Sequence, residues 1–552
     1  MAETEVLEDY TSKLPEHIIH HILSFLRFSS EAAVQTSLLS KAWLKACRTR
    51  PNLSFRYREV SPRKEDTSII DFYCPEKRCF YFIQCIDSTL QKYHEHKNSI
   101  DSLELTLPSV LQPDYVNRWI QIAVENGLKS LELFMSRDSC CSILPRSVFE
   151  AKTLVALRLG KLQLKPYVIN SIRCNNLTKL SLSEVDLDEV MFGRIMSSCP
   201  LIESMTVCCC VGLVNIKVTK LNKLREFSVF QRGSGCVDVG APSLEEFICN
   251  GRRLVQIYAS KNLKVLRLSH VVITEEFFKD IAEKFPRLVK LNITDCRDLK
   301  RIGISSHSIK CIHLEWNEGL KEGQIDVPSI NVFKYRGNNI PRFSFTENSF
   351  GFSWVSEIVL FCGMLESFDI SWFSKLKDFL TKLQKSQISL RLDFSSIVER
   401  DIVDEMISSA TIFPLPQVKS LTICFHGIHV LNAADLVLDA IFWTCRPKTI
   451  FQDWFQGSDW NSTNTNPAKV IFDMMMFRRK RKHIYLQKIS RFWQQDLKDV
   501  KVVKCKNHQG VQLPDSLDWN TLLKLNAANA HNRHVPYNYE LELEWKTFGF
   551  GR

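Results

Sequence analysis

Leu154-Val-Ala-Leu-Arg-Leu159, Leu177-Thr-Lys-Leu-Ser-Leu182, Leu263-Lys-Val-Leu-Arg-Leu268 and Leu288-Val-Lys-Leu-Asn-Ile293 are one six-residue pattern, apolar-x-x-apolar-x-apolar. Its last two apolar positions are two apart, the spacing of a strand with one buried face. The pattern also stands at Ile100/Leu103/Leu105, Leu128/Leu131/Leu133, Ile202/Met205/Val207, Leu224/Phe227/Val229, Leu244/Phe247/Cys249, Ile309/Ile312/Leu314 and Ile330/Phe333/Tyr335. Successive units begin 19 to 28 residues apart. One unit cannot bury its own leucines, so neighbours must stack, and stacked strands build a curved parallel sheet with a long concave face.

The period and the pattern resemble a leucine-rich repeat in degenerate form, with the Asn or Cys of the repeat's turn kept only in places, as at Asp295-Cys296. The expected fold class is α/β, a solenoid with regular repeats over 100–340. Asp188 to Ser198 and Glu275 to Phe285 read as helices between strands, each stopped before a proline. The shortest units leave room only for tight turns. Over 341–425 the pattern is degenerate, with strands at Val355/Ile358/Leu360, Gln387/Leu390/Leu392 and Val418/Leu421/Ile423 and a helix over Trp372 to Leu383.

Upstream the character changes. Leu14-Pro-Glu-His-Ile-Ile-His-His-Ile-Leu-Ser-Phe-Leu26 has Pro15 at the start of a helix, where its missing N–H costs nothing. Ile18, Ile19, Ile22, Leu23, Phe25 and Leu26 cover an arc of roughly 160°, wider than a one-sided stripe. Such a helix has more than one surface to hide. Ser30-Glu31 reads as the start of a second helix through Leu38, and Ser40 caps a third from Lys41 to about Cys47.

Leu14-Pro15, the Ile22-Leu23-Ser24-Phe25-Leu26 run and Leu38-Leu39-Ser40-Lys41 with Trp43 closely resemble an F-box, especially of plants; Arg27-Phe28-Ser29-Ser30-Glu31 stands where the family carries a shorter polar linker. The resemblance implies docking on a Skp-type adaptor, and through it on cullin and RING subunits of a ubiquitin ligase. Matched to the family motif, the adaptor-binding residues are Leu14, Pro15, Ile22, Leu23, Leu26, Val34, Leu39 and Trp43, some of which can instead hold the helices together. The domain reading is an acidic leader over 1–10, the F-box over 11–56, a connector over 57–99, the two repeat regions, and a C-terminal cap region over 426–552. Pro51 to Phe55 reads as a short extended segment, and Phe80 to His94 as a helix.

In each repeat strand the residues between the apolar ones face away from the core. The central outward column is Glu132, Arg158, Ser181, Thr206, Ser228, Ile248, Arg267, Asn292, His313 and Lys334. The next is Phe134, Gly160, Ser183, Cys208, Phe230, Asn250, Ser269, Thr294, Glu315 and Arg336. They hold no paired carboxylates and no Ser/His/Asp or Cys/His set at recognisable spacing. A mixed, mildly basic face suits recognition of a protein or peptide, and Arg158, Phe230, Arg267 and Arg336 are the favoured anchors because Arg and aromatic residues dominate hot spots.

In the last region, Asp435 to Cys445 reads as a helix and Gly457 to Pro467 as a loop. Arg478-Arg-Lys-Arg-Lys482 reads as a solvated basic turn, a nuclear-import signal or a nucleic-acid patch, in that order. Arg491 to Val503 resembles the end segment of some plant F-box/leucine-rich-repeat chains and could cap the solenoid. Tyr537 to Trp545 alternates apolar and acidic residues and reads as an edge strand. The 19 cysteines include no C-x-x-C pair, and the net charge of +11 permits acidic partners without demonstrating any. His17 and His21 lack the Glu of a metal-binding helix motif, and no phosphate-binding glycine loop occurs. No cofactor, metal or membrane span is expected, and the acidic N-terminus points to the cytosol or nucleus.

Together these readings give a non-catalytic substrate-recognition subunit, its F-box on the adaptor and its solenoid on an unknown target. The alternatives are an F-box scaffold without a degradation role and a nuclear nucleic-acid-associated protein using 478–482.

Overall fold

The computed structural model describes residues 14–25, 35–57, 75–108, 111–135, 148, 150–164, 174–258, 260–346, 354–363, 369–396, 398–408, 415–426, 434–452, 496–504 and 539–546. Leu26, Val34, the Arg27–Glu31 departure, the 457–467 stretch and the Arg478–Lys482 cluster lie outside them. The chain divides into two units, Met1–Leu263 and Lys264–Arg552.

The first unit opens with α1 (Glu16–Phe25) and α2 (Lys41–Thr49). Ser40 caps α2, its hydroxyl accepting from the Trp43 N–H. β1 (Asn52–Arg56) follows directly and pairs in parallel with β2 (Ser102–Leu107), Leu53 opposite Leu103. The segment expected to be merely extended is thus the first strand of the repeat sheet. α3 (Pro75–Glu95) buries Phe82, Ile86, Leu90 and Tyr93, and its Tyr93 hydroxyl donates to the Arg50 carbonyl just past α2.

β3 (Ser130–Met135), β4 (Ala156–Gly160), β5 (Lys179–Ser183), β6 (Ser204–Cys208), β8 (Glu226–Phe230) and β10 (Glu246–Asn250) continue the parallel sheet. In register, Leu131, Leu157, Leu180, Met205, Phe227 and Phe247 form one buried row. Among the described residues α4 (Pro113–Glu125) lies between β2 and β3, and α5 (Glu189–Ser198), with Asp188 capping the Met191 N–H, between β5 and β6. Where only tight turns were expected, β7 (Ile216–Val218), β9 (Cys236–Val239) and β11 (Leu254–Ile257) make a second parallel sheet. Each places Val or Ile two apart, which suits a strand, and each stretch is too short for a helix.

The second unit repeats this plan. β12 (Val265–Ser269), β13 (Lys290–Thr294), β15 (Cys311–Glu315), β17 (Val332–Gly337), β19 (Trp354–Cys362), β20 (Ser386–Phe394), β21 (Gln417–Phe425) and β22 (Arg446–Gln452) pair in parallel. β14 (Arg301–Ser305), β16 (Glu322–Asp326) and β18 (Arg342–Phe345) form its second sheet. The helix expected over 275–285 is interrupted: a 3-10 turn over Glu275–Phe278 meets α6 (Ile281–Lys284) at Asp280, whose φ of 58° breaks the helical path. α7 (Ile370–Lys382), α8 (Arg400–Ser408) and α9 (Ala434–Thr444) are regular. β24 (Tyr539–Trp545) is a strand but not an edge, because it pairs antiparallel with both β22 and β23 (Leu497–Lys504). β23, within the stretch read as a cap, therefore lies outside β24, and Lys498 joins Glu544 across the pair at 2.5 Å.

One turn recurs. After β4, β5, β6, β12, β13 and β15, residues Lys161, Glu184, Cys209, His270, Asp295 and Trp316 take left-handed φ between 48° and 58°. Each sends its N–H to a carbonyl at the end of the next strand, as Lys161 to Ser183 at 2.9 Å and Asp295 to Glu315 at 2.8 Å. That bond offsets the steric cost of a side chain in this region. The residue after it faces inward. Asn317 there donates to the Ile293 carbonyl at 2.9 Å and accepts from the Cys296 N–H at 2.8 Å, and the Cys296 and Cys210 thiols lie against carbonyls in the same way.

Candidate functional site

The wide apolar arc of α1 serves two surfaces. The Pro15 carbonyl accepts from Ile18 and Ile19 and seats the first turn. Ile19 and Leu23 point inward and pack with Trp43 and Ala46 of α2, with Leu14, Ala42 and Cys47 against them. Polar contacts close the rim. The Glu16 carboxylate accepts from Lys45 and Thr49, each at 2.9 Å, and those hydrogen bonds hold its pKa below the ordinary carboxylate value. His20 Nε2–H donates to the Ala46 carbonyl.

Ile18, Ile22 and Phe25, spaced i, i+4, i+7, remain on the outer face, with Phe25 73% exposed. On the turn into α2, Leu38 and Leu39 are 82% and 53% exposed. Five large apolar side chains in water on so small a unit mark an interaction surface. Of the sequence-derived adaptor set, Pro15, Ile22 and Leu39 lie on this surface, and Leu14 is half-buried. Leu23 and Trp43, 5% and 4% exposed, are interior: they hold α1 on α2 and offer no surface of their own. Ile18, Phe25 and Leu38 were not in that set. Their spacing was legible, but which half of the arc faced inward depended on where α2 packs.

The sheet faces place the other four anchors. In the first unit Arg158 is exposed and lies 3.5 Å from Glu132 on the next strand, while Phe230 is half-buried at the end of β8. Phe134 lies over Gly160, where any Cβ would meet its ring at 2.1 Å. In the second unit Arg267 and Arg336 stand on one sheet face. Arg336 is exposed, and its guanidinium lies 5.4 Å from the Trp316 ring centre and 5.2 Å from that of Phe361. The two rings are 4.5 Å apart. Both were missed: Trp316 sits in the turn after its strand, and Phe361 belongs to a strand longer than the repeat pattern.

Among the described residues no group of three His, Cys, Asp or Glu side chains is placed to hold a metal, and no helix is long and apolar enough to cross a membrane. Burial pushes the thiols of Cys174, Cys199, Cys296 and Cys445 up to about 12, so at neutral pH they are protonated core residues.

Two family models match the chain: the F-box domain over residues 11–55 and the At1g61320/AtMIF1 LRR domain over residues 92–264. The chain thus carries an F-box domain and a leucine-rich-repeat domain, and it is similar to plant F-box/leucine-rich-repeat proteins. Among its relatives, F-box/LRR-repeat protein 25 of Arabidopsis thaliana is 28% identical over 41% of this chain and 77% of its own length. Two further Arabidopsis thaliana chains, putative F-box/LRR-repeat proteins At5g02930 and At3g42770, are 26% and 31% identical over 40% and 35% of this chain. The matches span only 42% and 35% of those two relatives. A solved LRR protein of Leptospira interrogans aligns with 72% of this chain and 95% of its own at 13% identity, with a TM-score of 0.31, too low to bear on the fold.

Proposed function

We propose that this F-box/leucine-rich-repeat chain is the substrate-recognition subunit of an SCF-type (Skp–cullin–F-box) ubiquitin ligase, acting in the cytosol or nucleus. The observation that carries the proposal is the division of the α1 arc. Ile19 and Leu23 close the helix pair, while Ile18, Ile22 and Phe25, with Leu38 and Leu39, are left for a partner. A Skp-type adaptor is the partner the F-box implies, and it carries the link to cullin and RING subunits. The repeat sheets hold the target. The chain then works by proximity, raising the effective concentration of a target lysine near a charged ubiquitin carrier without supplying nucleophile, acid or base.

Affinity purification of the full chain tests this. The intact chain should bring down the adaptor and cullin, and Ile22→Asp with Phe25→Asp should abolish both. Recovery of neither from the intact chain overturns the proposal. Unchanged target half-life with the F-box deleted would instead favour a scaffold without a degradation role.

A further inference from the structure

The outward charges of the two units differ. In the first unit two pairs join outward charges, Arg56 with Glu104 at 2.6 Å and Arg158 with Glu132 at 3.5 Å. The central outward residues of β5 to β10 there are Ser181, Thr206, Ser228 and Ile248. In the second unit β12, β13, β15 and β17 bring Arg267, Lys290, His313, Lys334 and Arg336 to one face. Arg267, Asn292, His313 and Lys334 stand opposite one another in register, a row of roughly 14 Å at about 4.8 Å per strand. Among the described residues the carboxylates on this face are Glu315, Glu357 from β19, which is paired with Lys334 at 2.5 Å, and Asp393 from β20, which is paired with Arg391 at 3.0 Å; Asp295, in the turn after β13, lies 2.7 Å from His270 and 3.1 Å from Arg297. Desolvation and the charges of Lys290, Lys334 and Arg267 push the His313 imidazole below its ordinary pKa against the opposing pull of Glu357. Three cations, Lys290, Lys334 and Arg267, thus act on His313 against the one carboxylate of Glu357.

At one end stands Arg336, held over Trp316 and Phe361. Aromatic faces orient a guanidinium without neutralising it, and its planar fork of N–H donors still matches a carboxylate or phosphate. Arg on an aromatic platform has the composition of a binding hot spot.

We propose that this face takes an extended acidic segment of the target protein, seating one carboxylate or phosphate on Arg336 and crossing the strands over Lys334 and His313 toward Arg267. The proposal rests on the reading of the repeat sheets as the target-holding part. A nucleic acid fits less well. The Trp316 and Phe361 faces are engaged with Arg336 and with each other rather than open to bases, and Glu315 and Glu357 interrupt a phosphate track.

Fluorescence anisotropy on the full chain co-purified with its adaptor tests this. The probes are labelled peptides of about 12 residues, one Glu-rich, one phosphoserine-containing and one neutral Gln-rich, with single-stranded RNA of the same length, at about 50 and about 200 mM NaCl. The acidic peptides should bind at low salt and weaken at high salt, and the neutral one should not bind. Arg336→Gln should weaken binding about tenfold and Arg336→Lys by less, because Lys keeps the charge and loses the fork. Arg301→Gln, on the second sheet, should change nothing. A preference for the phosphoserine peptide identifies phosphate as the seated group; equal binding identifies carboxylate. No acidic binding at low salt, no effect of Arg336→Gln, or tighter RNA binding through the same residues overturns the proposal. Adaptor recovery and target turnover separate the two readings. If both persist while Arg336→Gln leaves peptide binding unmoved, only this inference fails.

Discussion

The division of α1 into inner and outer faces makes a quantitative demand. Consider Phe25→Ala combined with Leu39→Ala. Fully burying a Leu or Phe side chain contributes about 1.5–3 kcal/mol relative to leaving it in water. Phe25 still exposes 73% of its surface and Leu39 53%, so most of the first contribution and half of the second await a partner. Together they amount to about 3 kcal/mol, roughly a hundredfold in adaptor affinity. Neither residue belongs to the core cluster, so the helices should stay folded. Trp43→Ala should do the reverse: it removes a buried aromatic from a cluster of four residues, at a cost of about 3–5 kcal/mol. A helix pair of this size has little stability to lose. Titration of the full chain with purified Skp-type adaptor reads affinity, and amide hydrogen exchange over residues 16–49 reads folding. The double variant should keep its protection and lose affinity; Trp43→Ala should lose both. Adaptor binding by the double variant within about threefold of the parent, or normal exchange protection in Trp43→Ala, would refute the assignment of the two faces.

Further outcomes follow from the repeats. Asn317→Ala removes the acceptor of the buried Cys296 N–H and one donor to the Ile293 carbonyl and should cost about 1–3 kcal/mol, read as a lowered denaturation midpoint. Gly251→Ala should strongly lower the expression of folded protein, because φ there is 142° and a Cβ would meet the Gln231 carbonyl oxygen at 1.9 Å. The folded-state pKa of His313 is depressed, so the unfolded chain binds its proton more readily. Its contribution to stability is full above about pH 6.5 and is lost as pH falls from there through the folded value. His313→Gln should flatten that part of the stability profile. An acidic segment on the face raises the His313 pKa, so acidic-peptide binding should tighten from about pH 7.5 to about pH 5.5 in the parent and not in His313→Gln.

Much of this molecule is legible in its sequence. The apolar-x-x-apolar-x-apolar rows fall on strands in register, because alternation with one buried face admits little else. The second sheets were less legible: Ile216-Lys-Val218 and Val237-Asp-Val239 are too short to be distinguished from turns. The left-handed residues escaped altogether, since Lys161, Glu184 and Trp316 carry no glycine signal and are held in place by bonds to the next repeat. The site shows the same limit. Arg336 could be placed on an outward column, but Trp316 and Phe361 come together from a turn and a distant strand, which only the stacking reveals. Likewise, sequence gave the width of the α1 arc and not its division.

The central claim is that the F-box surface brings to the ligase what the repeat sheets hold. The half-lives of proteins that co-purify with the chain test it most directly, compared between cells carrying the intact chain and cells carrying Ile22→Asp with Phe25→Asp. The account predicts the same bound proteins in both, short-lived with the intact chain and long-lived with the variant, which should recover no adaptor. Equal half-lives, or an intact chain that recovers no Skp-type adaptor, would contradict it.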